Sequence, residues 1–157
     1  MAGQGFGRAP GFQRLPESLD PRVRFIFEGI QYEERIGNFG LNLGGAGGFE
    51  FDRVDRMEGT PSSTLLLAST VEVPSSFYRA MEHGVGRGPS DPLVRADMVY
   101  LDRGPGSVFS VGSITWTGSL SHNGYDNNVA RISANVLEEF MRRDSPQSLA
   151  DRKLQPD

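Results

Sequence analysis

An α/β fold, with a mixed β-sheet and flanking helices in one domain, is what three features of the sequence predict. Short apolar or alternating segments recur between residues 23 and 112, Gly- and Pro-rich breaks separate them, and one long amphipathic segment follows residue 126. The chain has 157 residues, enough for one substantial core and too few for two ordinary domains.

Residues 1–20 mix Gly, Pro, Gln and Arg and read as an irregular N-terminal lead-in. Residues 21–143 form the packed part. Val23-Arg24-Phe25-Ile26-Phe27 suits a strand, and in Gly48-Phe49-Glu50-Phe51-Asp52-Arg53-Val54 the alternation puts Phe49 and Phe51 on one face and Glu50 and Asp52 on the other. Thr64-Leu65-Leu66-Leu67-Ala68 is continuous and apolar, the pattern of a strand covered on both faces. A short helix is expected around Phe77, Tyr78 and Met81, between Pro74 and Gly84. Met98–Leu101 and Val108–Gly112 flank Asp102-Arg103-Gly104-Pro105-Gly106, a break that reads as the turn of a hairpin.

The last helix carries Val129, Ile132, Val136, Leu137, Phe140 and Met141 on one face, to be packed on the sheet. Asp126 or Asn123 caps its start, Glu138/Arg142 and Glu139/Arg143 have i,i+4 spacing, and the two arginines suit the negative end of the helix dipole. Residues 144–157, with two prolines and scattered charge, read as a flexible C-terminal tail.

A net charge of −4 offers no basic face for a polyanion, so nucleic acid is not an expected partner. The chain has no cysteine, which excludes disulfides, thiolate metal sites and a cysteine nucleophile. No stretch approaches the roughly 20 apolar residues of a membrane span, and the N-terminal residues lack the apolar core of a secretory signal. A soluble cytoplasmic protein with no membrane partner is the expectation.

Five glycines between Gly40 and Gly48 invite a phosphate-loop reading, but no Gly-Lys-Ser/Thr ending follows and the third glycine of a dinucleotide fingerprint is missing. A tight turn bringing backbone close to a neighbour is the favoured reading. Glu50, between two phenylalanines, has two placements open. One is the solvent face of an amphipathic strand. The other is a partly desolvated position beside a cavity, where a raised pKa makes a carboxylate a proton shuttle.

His122 and His83 lack metal-site spacing, so no metal ligand is assigned, and His122 reads first as a loop hydrogen-bonding residue. Asn123, Asp126, Asn127 and Asn128 read first as turn and cap residues, with ligand contact second. Trp116, the only tryptophan, packs in the core or walls a small-molecule pocket. No histidine and aspartate can be placed around Ser119 or Ser121 as a triad would require.

Several segments in order carry a family resemblance: Asp20-Pro21-Arg22-Val23-Arg24-Phe25-Ile26-Phe27-Glu28-Gly29, Ile36-Gly37-Asn38-Phe39-Gly40-Leu41, Gly44-Gly45-Ala46-Gly47-Gly48-Phe49-Glu50-Phe51-Asp52-Arg53, Gly59-Thr60-Pro61, Asp91-Pro92-Leu93-Val94-Arg95-Ala96-Asp97-Met98-Val99, and the polar run from Gly112 to Asn128. Together they resemble the C-terminal part of the N,N-dimethylformamidase large-subunit family. The resemblance implies part of a glutamine amidotransferase-like, flavodoxin-like domain, in an enzyme that hydrolyses small N-substituted amides to carboxylate and amine.

It further implies an iron ion in the full-length enzyme, held by two tyrosines and a glutamate that lie upstream of the matching part. No cofactor is therefore expected within this chain. Glu50, in the matching Gly-Phe-Glu motif, becomes the implied catalytic residue, with Phe49, Trp116, His122 and Asn123 as candidate substrate contacts. Thr117 stands where many relatives are expected to have cysteine. The expected partners are a small amide substrate, a complementing N-terminal half or small subunit, and a second copy of the chain. The alternative is a non-catalytic structural or interaction module derived from the family.

Overall fold

The computed structural model describes residues 3, 4, 8–74, 77, 80, 81, 84, 85, 93–103 and 106–143. Eight strands occur among them: β1 (Gly3–Gln4), β2 (Phe12–Arg14), β3 (Glu50–Phe51), β4 (Leu65–Thr70), β5 (Ala80–Met81), β6 (Gly84–Val85), β7 (Asp97–Asp102) and β8 (Ser107–Ser110). One α-helix, α1 (Asn128–Arg143), closes the described chain, and the other helical elements are 3-10 turns. The main sheet has the order β2-β4-β7-β8, with β1-β3 and β5-β6 as separate pairs.

Every one of these pairings is antiparallel, so the expected mixed sheet is replaced by an antiparallel one. The reason is visible in the connections. β7 and β8 are joined by a short turn, which permits only antiparallel pairing, whereas a parallel neighbour needs a long crossover. Helices and sheet do coexist, as an α and β composition requires.

Strand β4 fulfils its reading: none of its six residues is exposed, and Leu67 and Ala68 are fully buried. Its register against β7 slips between Leu66 and Ala68, a bulge that leaves Leu67 unpaired. The predicted hairpin is also present, with Val99, Tyr100, Leu101 and Asp102 opposite Ser110, Phe109, Val108 and Ser107.

Three expectations are corrected. Val23–Phe27 is not a strand but lies within a 3-10 helix, Pro21–Phe27. The Asp20 side chain accepts a hydrogen bond from the Arg22 backbone N–H (2.9 Å), and Pro21 presets the first helical φ, so a local cap outweighs the β-forming side chains. Ala80–Met81 pairs with Gly84–Val85 as a hairpin where a helix was expected; Tyr78 and His83 lie outside the described residues. Part of residues 1–20 is built into the sheet, because β2 pairs with β4 and Phe12 is fully buried. Residues 144–157 lie outside the described residues.

Helix α1 forms where the periodicity placed it. Val129, Ile132 and Val136 are buried and Phe140 is partly buried, while Leu137 and Met141 point away from the core. Covering a side chain such as Ile132 contributes about 1.5–3 kcal/mol. The helix is capped by Asn127, whose Oδ1 accepts from the Ala130 N–H (2.9 Å), and by neither Asp126 nor Asn123. Of the two predicted ion pairs, Glu139–Arg143 forms at 2.9 Å, and Arg142 also turns to Glu139, at 2.8 Å, instead of Glu138.

α1 packs on the Pro21–Phe27 helix. Phe25 meets Tyr100 of β7 edge to face, 6.0 Å between centroids, and Arg143 donates to the Tyr100 hydroxyl (2.9 Å). The core therefore lies between this helical layer and the sheet. No helix among the described residues is long and apolar enough to cross a membrane.

Candidate functional site

Glu50 opens β3, paired with Gln4, and is half-buried. Its carboxylate makes no hydrogen bond or ion pair with any described residue. The strand lasts only two residues because Phe49 sits at φ +60°, in the left-handed region, which breaks the alternation. Phe49 is consequently 41% exposed, while Phe51 is buried and stacked on Phe77 at 4.8 Å. The expected shared face of Phe49 and Phe51 does not form.

The backbone on both sides of Glu50 is firmly held. On one side the Gly48 N–H donates to Ser113 Oγ (2.7 Å) and Ser113 Oγ donates to the Gly48 carbonyl (3.0 Å). On the other, the Asp52 N–H donates to the Gly112 carbonyl and the Asp97 N–H to the Asp52 carbonyl, each 2.9 Å. Gly112 is required here: it has φ +59°, and a Cβ would stand 2.4 Å from the Asp52 carbonyl oxygen.

The fully covered Asp97 carboxylate completes the junction. It accepts from Ser69 Oγ (2.6 Å), Arg95 Nε (2.9 Å) and the Val54 N–H (2.8 Å). A buried charge saturated in this way holds three segments together, and removing it leaves donors stranded.

The other sequence candidates fall elsewhere. Trp116, only 6% exposed, lies in the 3-10 helix Ile114–Ser119, edge to face with Phe12 (5.9 Å), and its Nε1–H donates to Ser133 Oγ (3.1 Å). It is a core residue. His122 is exposed and its ring stacks on Phe39 at 4.2 Å between centroids. Asn123 has φ +50° and donates to the Asp126 carbonyl (3.1 Å), a turn-closing role. No hydrogen bond, ion pair or ring contact joins Trp116, His122 or Asn123 to Glu50.

The glycine-rich segment is explained by close approach. At Gly45 a Cβ would lie 2.1 Å from the Ala9 carbonyl oxygen, and at Gly40 it would lie 2.4 Å from Ser119 Oγ. The segment thus packs against both the N-terminal residues and the Ile114–Ser119 helix, as a tight turn does and a phosphate cradle does not.

One concavity has no counterpart in the sequence reading. A cleft of about 510 Å³ is lined by Arg8, Pro10, Arg35, Asn38, Glu72 and Pro74, among others. Arg35 and Glu72 face each other across 3.9 Å, and Arg8 donates to the Asn38 carbonyl (3.3 Å). No spacing signal links residues 8, 35 and 72, so only the fold reveals the grouping.

Among the described residues no three His, Asp or Glu side chains converge as a metal site would need. The described tyrosines do not fit an iron held by two phenolates and a glutamate. The Tyr100 hydroxyl donates to Ser107 and accepts from Arg143, the Tyr32 ring lies 5.2 Å from the Arg14 guanidinium, and Tyr125 is exposed.

Residues 1–127 match the family described as N,N-dimethylformamidase beta subunit-like, C-terminal. The chain belongs to this family. It is 46% identical over 150 residues to an N,N-dimethylformamidase beta subunit from Alcaligenes sp, covering 90% of this chain and 19% of that protein. Against the N,N-dimethylformamidase beta subunit of Paracoccus aminophilus it is 45% identical over 157 residues, 95% of this chain and 20% of that protein. The chain therefore spans about a fifth of the length of these dimethylformamidase relatives.

The family match ends one residue before α1, at the Asn127 cap. Membership gives the Gly112–Asn128 run a plain interpretation: it carries family identity, and in the structure it supplies a β3 clamp, a core tryptophan and a helix cap.

Proposed function

We infer that the chain is a component of a dimethylformamidase-type amide hydrolase, acting together with polypeptide that supplies the rest of the beta-subunit length. The observation that carries this reading is the 45–46% identity over nearly the whole chain combined with coverage of only a fifth of the relatives. The substrate class follows from the relatives' name: small N-substituted amides, cleaved by water to a carboxylate and an amine.

In that reaction Glu50 is assigned the proton transfer. Its carboxylate takes a proton from the attacking water as the water oxygen bonds to the amide carbon, and returns it to the nitrogen as the C–N bond breaks. Support comes from its environment: it is half-buried on a strand pinned at both ends and has no described partner to compete for its oxygens. Iron ligation is assigned to the part of the relatives that this chain does not span. The glutamine amidotransferase-like domain belongs to that larger assembly, with this antiparallel sheet at its C-terminal margin.

A second reading, a non-catalytic structural module, is favoured by the use of Trp116, Asn123 and Ser113 in packing and turn closure. One experiment separates the two. The chain is co-expressed with the complementing part of a beta subunit and its small subunit, and amine release from N,N-dimethylformamide is measured for wild type and Glu50→Gln. A kcat lower by about 100-fold or more, with unchanged assembly and folding, is expected of a proton shuttle. Full turnover by Glu50→Gln assigns the chain to the structural reading, and failure of the parts to assemble would remove both.

A further inference from the structure

Helix α1 carries two apolar stripes. The inner one, Val129, Ile132, Val136 and Phe140, packs into the core. The outer one, Ala130, Ala134, Leu137 and Met141, repeats at intervals of four, three and four residues, the a/d spacing of a helix seam. Leu137 is 60% and Met141 67% exposed. The two small residues lie at the N-terminal end of this seam and the two large ones at its C-terminal end, so the gaps beside the alanines can be filled by large side chains of another helix.

The charges beside the seam select the partner. Arg131 and Glu138 are both exposed, are seven residues apart and so lie on one side of the helix, and neither side chain has a hydrogen bond or ion pair with a described residue. In an antiparallel pairing of α1 with a copy of itself, Ala130 faces Met141 and Ala134 faces Leu137. Arg131 of each copy then approaches Glu138 of the other, making two equivalent ion pairs. A parallel pairing would set alanine against alanine and methionine against methionine.

We propose that the outer face of α1 is a self-complementary dimer surface, on which a second copy of this chain docks antiparallel. The proposal is independent of the enzymatic reading. The seam is small. A 16-residue helix is about 24 Å long and about 10 Å wide, a footprint of roughly 240 Å², well below the ~800 Å² per partner of a stable complex. The dimer is therefore a weak one that dissociates on dilution.

Sedimentation of the full chain over a concentration series tests it. A monomer–dimer equilibrium is expected, with dimer populated at about 100 μM and above. Leu137→Glu abolishes it, and Arg131→Glu weakens it by at least about fivefold. The double variant Arg131→Glu/Glu138→Arg restores it, since each pair is re-formed with its signs exchanged. Circular dichroism confirms that each variant is folded, and Ala134→Ser serves as a milder probe if Leu137→Glu is not. A chain that stays monomeric at several hundred μM overturns the proposal, as does a dimer insensitive to Leu137 and Arg131. Monomeric chain whose association with the rest of a beta subunit is lost in Leu137→Glu also overturns it, and assigns the face to that polypeptide instead.

Discussion

Replacing Gly112 by alanine tests whether the β3 junction is as tightly built as its distances indicate. Gly112 and Gly124 have nearly the same backbone, φ +59° and φ +62°, yet an added Cβ at Gly124 meets nothing within 4 Å, while at Gly112 it meets the Asp52 oxygen at 2.4 Å and the Asp97 oxygen at 2.8 Å. Left-handed strain costs an alanine about 1–2 kcal/mol, offset by about 0.4–1 kcal/mol from the stiffer unfolded chain. Gly124→Ala is thus expected to cost roughly 1 kcal/mol.

At Gly112 the atoms struck are backbone, so relief requires the junction to open. That puts the Asp52 N–H to Gly112 and Asp97 N–H to Asp52 hydrogen bonds at risk, each worth about 1 kcal/mol net, for a total near 3 kcal/mol. In urea, with a slope of about 2 kcal/mol/M, the midpoint falls by about 1.5 M for Gly112→Ala and about 0.5 M for Gly124→Ala. Equal shifts for the two variants would show that close approach at residue 112 is unimportant and that backbone strain alone accounts for the glycine.

Two further outcomes follow from the helix cap and the ion pairs. Asn127→Ala removes the cap and also the hydrogen bonds from Asn127 Nδ2 to the Leu120 (3.0 Å) and His122 (2.7 Å) carbonyls. A loss of about 2 kcal/mol, or roughly 4–8 °C in Tm, is expected, against under about 0.5 kcal/mol for Asp126→Ala, and the reverse order in a thermal melt would misplace the cap. At low pH, Asp20 matters because its hydrogen bonds from Arg22 hold the carboxyl down at about 2. A lowered folded pKa means the contribution is complete above the unfolded value, about 3.9, and is lost as pH falls toward the folded one. Glu139, lowered first by its hydrogen bond from Arg142, acts in the same direction. Stability should fall between about pH 4 and pH 2, with a shallower acid limb in Asp20→Asn; urea midpoints with the same acid limb in both proteins would exclude Asp20 as a contributor.

Much of the fold was legible where a residue's preference and its burial coincide. β4, β7 and the inner stripe of α1 were readable because their apolar patterns are the ones those elements bury, and β8 because the Asp102–Gly106 break sets it beside β7. Val23–Phe27 misled because side-chain propensity and local capping disagree, and Asp20-Pro21 won. In Phe49-Glu50-Phe51 the alternation was genuine in sequence, but one left-handed residue turned Phe49 outward.

The candidate site was less legible, because contacts across the chain decide it. Ser113 reaches Gly48 over 65 residues, and Arg8, Arg35 and Glu72, far apart in sequence, line one cleft. Leu137 and Met141 matched the helix period but fall on its other apolar stripe, and periodicity alone does not say which stripe the core takes.

Asn128 gives the fold a temporal consequence. Its side chain accepts from the Gly37 N–H (3.0 Å) and donates to Glu34 (2.7 Å) and to the Arg35 carbonyl (3.0 Å), bonds that span more than 90 residues. Contacts this distant in sequence make folding slow, and they cannot form until more than 90 further residues have followed Gly37 out of the ribosome. The segment around residues 34–37 therefore waits, with Phe12 and Ile36 of the core beside it, until Asn128 has been made, and this stretch is the one a chaperone would have to shield in the meantime.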